Sequence, residues 1–261
     1  MNIIFPEGIT FDLRYLSIYD NNPDVIPSNL TGAFGFQVRT VFDSNIDTSN
    51  VKNVSYLFYE CNLLSRFNEM DFSNVNSMKY AFYNCQSLVS IPQLNTSNTT
   101  DFNHCFNGCS SLKSIPQLDT SNTTNFSFCF SNCSSLKSIP QLNTSKVKNV
   151  NYMFSSCSSL RSIPLLDFGN VTDASNVFGW GKINSLTDLG GFKNLKINFT
   201  DGLNHLPNLT VQSLMNVINN LYDFRANGST TTRTLQLGTT NLNKLTDEQK
   251  AVAVNKGWNL T

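Results

Sequence analysis

The side chains able to do chemistry in this sequence fall at regular intervals. Cys61, Cys85, Cys109, Cys133 and Cys157 stand 24 residues apart, and Cys105 and Cys129 form a second series at the same interval. Thiols could pair as disulfides, hold a soft metal or act as nucleophiles. An odd count of 7, placed in columns with no pairing pattern, reads instead as free thiols packed as small apolar groups and folded in a reducing compartment. His104 takes the column otherwise held by Tyr80, Phe128 and Tyr152, which makes it a surface or packing aromatic, and His205 falls near a helical segment. Neither histidine belongs to a CxxC, HExxH or Ser/Asp arrangement. Asp119 and Asp167 alternate with Asn95 and Asn143 in one column, a pattern suited to side-chain-to-backbone turns rather than to a hydrolytic carboxylate pair. No glycine-rich phosphate loop is present. These residues point away from an enzyme, and no cofactor or metal is expected.

The candidate contact residues are also columns. Lys113, Lys137 and Arg161 share one position, with Val89 and Ser65 above them, and Gln93, Gln117 and Gln141 share another. A repeating protein presents such columns to its ligands. For any one of these residues the favoured reading is a solvated face that keeps the chain soluble, with partner contact as the alternative.

What must position these residues is the repeat itself. In rows of 24, Phe58, Phe82, Phe106, Phe130, Phe154 and Phe178 align, with Phe34 as a candidate first member. Leu64, Leu88, Leu112, Leu136 and Leu160 align beside them, followed by Phe67, Ile91, Ile115, Ile139 and Ile163, then by Met70, Leu94, Leu118, Leu142 and Leu166. Within a row, Val147, Val150, Met153 and Phe154 recur at three- and four-residue steps, which predicts one or two turns of 3₁₀ or α helix with Thr144 and Ser145 as cap candidates. The segment SLKSIPQL predicts a brief strand. Pro92, Pro116, Pro140 and Pro164 must lie at its end or outside its ladder, because proline has no N–H to donate. Stacked rows would place Phe on Phe and Leu on Leu about 4.8 Å apart.

The chain divides, on this reading, into an N-terminal cap (1–33), a solenoid (34–191) and an α/β C-terminal cap (192–261). After Trp180 the spacing slips by two, and Leu186 to Phe192 makes one more imperfect unit. Val211, Leu214, Val217, Ile218 and Leu221 predict an amphipathic helix, RTLQLG a strand, and Thr246 with Gln249 a capping box opening a last helix that Gly257 stops. Net charge is zero with 18 basic and 18 acidic residues, so no global field points to nucleic acid. No run approaches the roughly 18 apolar residues of a membrane span, and no insertion is expected. Residues 1–20 lack the basic-then-apolar pattern of a signal peptide.

The unit F-x-x-C-S-S-L-x-S-I-P-x-L-[DN]-T-S-N resembles the BspA-like leucine-rich repeats of bacterial surface proteins, and Thr144–Leu160 follows the variant found in mycoplasmas, lactobacilli and gut Bacteroides. The resemblance covers about residues 43–180. It implies an α/β solenoid, a leucine-rich-repeat-like right-handed superhelix, that works by adhesion or protein recognition without catalytic residues. The segment NLNKLTDEQKAVAVNKGWNLT resembles the closing part of leucine-rich-repeat proteins encoded by phages of gut bacteria. The expected function is a bacteriophage virion component, a tail, head or fibre accessory touching other virion proteins or a host-surface protein or glycan. The alternatives are a bacterial cell-surface adhesin and an intracellular interaction scaffold.

Overall fold

The computed structural model describes residues 48–179, 181, 183–200 and 202–261, and the backbone of Val41–Phe42. The expected N-terminal cap, Phe34 and Trp180 lie outside the described residues.

A stack of coils follows directly from the repeat. Asn53, Ser77, Asp101, Asn125, Asn149 and Asp173 bridge one another in parallel, each to its equivalent one coil on. The Phe column is fully buried, and its rings stack at centroid distances from 5.4 to 6.1 Å between Phe58 and Phe178. Identical side chains thereby bury one another, which a single 24-residue unit could not do. The Leu, Ile and Leu/Met columns complete this core.

The segment expected to be helical is not a helix. In the coil of Phe102–Cys109, the amides of Phe102, His104, Phe106 and Gly108 donate across to Asn125, Ser127, Cys129 and Ser131 of the next coil. The amides between them close three-residue turns inside the coil, Cys105 to Phe102, Asn107 to His104 and Cys109 to Phe106. An α helix would spend every amide internally and leave none to join the coils. Two residues per coil take the left-handed backbone conformation, as at His104 (φ 54°) and Gly108 (φ 80°), which breaks any helix and makes the turns. A Cβ at Gly108 would meet the Asn84 backbone at 3.1 Å, so glycine eases a close approach at a position that Asn84, Asn132 and Ser156 fill in their coils at φ 58–60°. Thr144 caps nothing: its buried hydroxyl donates to the Asp167 carbonyl of the next coil at 2.8 Å.

The expected strand is also briefer than its sequence. In the middle coils it contributes single cross-coil bonds, Lys113 to Val89, Lys137 to Lys113 and Arg161 to Lys137. Only at the ends do pairs become strands. There β1 (Val41–Phe42) pairs with β2 (Arg66–Phe67), β3 (Ser162–Ile163) with β5 (Asp188–Leu189), and β4 (Leu166–Asp167) with β6 (Phe192–Lys193), all parallel. Pro164 sits in the gap between β3 and β4, outside both ladders, as proline must. The register Ser162 to Asp188 spans 26 residues, which is the two-residue slip seen in the sequence.

Residues beyond 192 continue the stack with longer units. Helix α1 (Val211–Asn220) starts at Thr210, whose hydroxyl accepts from the Ser213 amide. It buries Leu214, Val217 and Ile218 but leaves Val211 exposed, one departure from the expected face. Strand β7 (Arg233–Leu235) pairs in parallel with β8 (Trp258–Leu260), on either side of the short α2 (Thr239–Leu242) and α3 (Asp247–Asn255). Helix α3 opens with the expected Thr246–Gln249 capping box, and Gly257 (φ 92°) ends it. Asn241 locks this region by donating from Nδ2 to the carbonyls of Leu203, Leu206 and Leu237 at 3.0–3.2 Å, all buried.

Candidate functional site

An open groove of about 910 Å³ runs across the coils between the Gln column and the Asn/Asp column. Gln93, Gln117 and Gln141 are exposed along it, Leu94, Leu118 and Leu142 form its floor, and Lys193 closes one end. Its walls are built by cross-coil bonds. Gln93 Nε2 donates to the Gln117 carbonyl, Gln117 Nε2 to the Gln141 carbonyl, and Gln141 Nε2 to the Leu165 carbonyl, each at 2.7 Å. A second bond from each Nε2 goes to the following residue's own carbonyl, at 3.1–3.3 Å. Opposite them, Thr96 and Thr120 donate to the Asp119 and Asn143 carbonyls at 2.8 and 3.0 Å.

These bonds fix the side chains and leave specific atoms over. Each Gln spends Nε2 and keeps Oε1 without a partner among the described residues. Asn95 Oδ1 and Asn143 Oδ1 accept from Ser97 and Ser145, which leaves both Nδ2 groups as unused donors. Asp119 Oδ1 accepts from the Ser121 amide at 3.0 Å. That bond and the Ser121 hydroxyl hold its carboxyl below the usual carboxylate range, so the groove keeps a charged acceptor there. At the end of the groove Lys193 Nζ lies 4.0 Å from Asp167 Oδ2, an exposed and weak ion pair.

The structure thus brings Gln93, Gln117 and Gln141 together as one wall. It leaves Lys113, Lys137 and Arg161 as an exposed column outside the lining of the groove. The cysteines are not part of any site. All seven are buried and none is in a disulfide, and Cys85, Cys109, Cys133 and Cys157 donate from Sγ to Phe58, Phe82, Phe106 and Phe130 carbonyls at 3.0–3.1 Å. Burial pushes the Cys157 thiol up to about 12, well away from the reactive thiolate. Among the described residues no group of three His, Cys, Asp or Glu could hold a metal, and no helix is long and apolar enough to cross a membrane.

With this geometry the sequence matches the family described as "Mycoplasma protein of unknown function, DUF285" over residues 31–92 and 77–189. The chain belongs to that family. No curated protein matches it. Among solved structures it is similar to a leucine-rich repeat protein from Bacteroides ovatus, at 16% identity and a TM-score of 0.38, over 65% of this chain and 52% of that one. It is also similar to the leucine-rich repeat protein of T. pallidum, at 18% identity and a TM-score of 0.43, over 92% of each chain. The chain spans about half the length of the Bacteroides protein.

This DUF285 chain carries a second repeated surface that its sequence disclosed only in part. Tyr56, Tyr80, His104, Phe128 and Tyr152 stack in a partly exposed ridge at 4.4–4.9 Å. Tyr59 and Tyr83 form a parallel pair beside it at 4.9 Å. All five ridge residues hold φ between 52° and 60°, costly for side chains with a Cβ. Ring stacking along the ridge offsets that cost. His104 is held neutral to about 4, first by burial and then by Lys79, and Asn107 Nδ2 donates to its Nδ1 at 2.8 Å. Because the ring faces cover one another, the ridge offers its edges to solvent.

Proposed function

We propose that the chain is a non-enzymatic recognition protein that binds a ligand on a biological surface through the groove. The observation that carries this reading is the set of polar atoms left over in fixed positions. Gln93, Gln117 and Gln141 each keep an Oε1 aimed by two bonds from the same carboxamide, and Asn95, Asp119 and Asn143 face them. Side chains immobilised before binding lose little entropy on contact, which favours recognition. A side chain serving only solubility needs no such anchoring. We infer with it the finer architecture of a right-handed leucine-rich-repeat superhelix, the hand that parallel crossover connections take.

The setting we propose is a bacteriophage virion, where the chain serves as a tail, head or fibre accessory; the likeness of its last segment to phage-encoded repeat proteins supports this. The second reading is a cell-surface adhesin, in line with the likeness of the repeat unit to those of bacterial surface proteins. Fluorescently labelled chain bound to a panel of intact bacterial and epithelial cells tests the groove. Asp119→Ala should weaken cell binding at least tenfold, while unchanged binding would remove the groove from the reading. Mass spectrometry of gradient-purified phage particles decides the setting: stoichiometric presence supports the virion, and absence together with protease-sensitive display on cells supports the adhesin.

A further inference from the structure

The groove's unused atoms also specify the chemistry of what would fill it. Along it lie acceptors (Oε1 of Gln93, Gln117 and Gln141, Oδ2 of Asp119) and donors (Nδ2 of Asn95 and Asn143), a Gln in each of three coils facing Asn, Asp and Asn in turn. A partner must therefore offer both donors and acceptors at short intervals. Many of the main-chain acceptors of the groove are already taken. The carbonyls of Leu94, Gln117, Leu118 and Gln141 take Gln amides, and those of Asp119 and Asn143 take Thr hydroxyls. A peptide strand joins a protein chiefly by pairing its backbone with free backbone donors and acceptors, and these six acceptors are occupied. Its spacing also disagrees, since an extended peptide advances about 3.3–3.4 Å per residue while neighbouring coils lie about 4.8 Å apart.

We propose that the groove binds a neutral polysaccharide laid across the coils. Every sugar hydroxyl is at once donor and acceptor, and so meets Oε1 of a Gln and Nδ2 of an Asn on opposite walls without needing a fixed direction. Leu94, Leu118 and Leu142 beneath are almost fully covered, so the contact falls to the polar walls. The carboxylate of Asp119 accepts hydroxyl protons strongly and repels uronate or sulfate groups, which sets the preference for uncharged chains. Among the described residues the one cation lining the groove, Lys193, is already beside Asp167. The basic column of Lys113, Lys137 and Arg161 lies outside the lining, so it supplies no anion site there.

This inference rests on the groove being the binding surface, and its test separates the two. Full-length protein is titrated against soluble mannan, β-glucan and galactan, with alginate and heparin as polyanions, and is bound to intact cells treated with periodate or with protease. Asp119→Asn places in this coil the residue that the column already carries at Asn95 and Asn143, so its fold is secure; Asp119→Ala removes the side chain, and Lys52→Ala is the distant control. Affinity for at least one neutral chain is expected to exceed that for the polyanions at least tenfold. It should fall three- to tenfold in Asp119→Asn, fall further in Asp119→Ala and stay unchanged in Lys52→Ala. Periodate should abolish cell binding and protease should spare it. Binding to none of the neutral chains, or cell binding that survives periodate and is lost to protease, overturns the glycan. If the Asp119 variants still weaken that protease-sensitive binding, the groove stands; if they bind as wild type does everywhere, both readings fall.

Discussion

Phe130→Ala is the substitution that best separates the two aromatic columns. Phe130 is fully buried, with Phe106 at 5.8 Å and 3° on one side and Phe154 at 5.9 Å and 7° on the other. Truncating a core Phe costs about 3–5 kcal/mol, of which the two ring pairs supply about 0.5–1.5 kcal/mol each. A domain stable by roughly 5–15 kcal/mol loses about a fifth of that or more. In a stack whose coils touch only their neighbours, the loss falls on the two interfaces flanking one coil, so unfolding should split into two steps. Phe128→Asn tests the opposite balance. It forfeits stacking on His104 (4.4 Å) and Tyr152 (4.8 Å), again about 0.5–1.5 kcal/mol each. It recovers roughly 1–2 kcal/mol of left-handed strain, at a column position that Asn176 already occupies at φ 51°. The two effects nearly cancel. Urea unfolding followed by far-UV dichroism and tryptophan emission measures both variants. A Phe130→Ala within 1 kcal/mol of the native protein, or a Phe128→Asn that loses more than Phe130→Ala, would refute this division of labour.

Three further outcomes are expected. His104 has a folded pKa of about 4, below its ordinary 6.5, so the unfolded chain binds the proton more readily. Stability present above pH 6.5 is therefore lost as pH falls toward 4, by about 1–2 kcal/mol after discounting for the half-exposed ring; thermal melts of His104→Phe should lack that part of the decline, and an identical decline would exclude His104 as its source. The seven thiols should resist alkylation in the native protein and all label after denaturation without reductant, as intact mass would show; fewer than seven labels would reveal a disulfide. Asn241→Leu should cost roughly 2–4 kcal/mol by orphaning three buried carbonyls, measured by urea unfolding, and a neutral result would mean that water replaces the amide.

The columns were legible because identical residues every 24 positions can only be buried by stacking, and Phe58 to Phe178 stack as their spacing required. The two-residue slip and the Thr246–Gln249 capping box were equally plain, being local patterns. The turns were not. Val147, Val150, Met153 and Phe154 are all buried, yet nested three-residue turns put inward positions at the same three- and four-residue steps as a helix. What distinguishes them is the destination of alternate amides, which is a neighbouring coil and leaves no trace in one row. A weaker signal was available: Asn84, Gly108 and Asn132 share a column, and those residue types tolerate positive φ. The Gln column was recognised as a surface, but its anchoring came from cross-coil bonds that only the stack creates. The Lys113 column looked equivalent in sequence and differs only in lying outside the groove.

The most direct test of the central claim is a hydroxyl-radical footprint of the full chain, free and bound to the cells or polysaccharide it captures. The account expects protection to concentrate at residues 93–96, 117–120 and 141–145, the walls and floor of the groove, with the ridge tyrosines Tyr56 and Tyr80 unchanged. Protection of the ridge or of the Lys113–Arg161 column, with the groove still fully reactive, would contradict it.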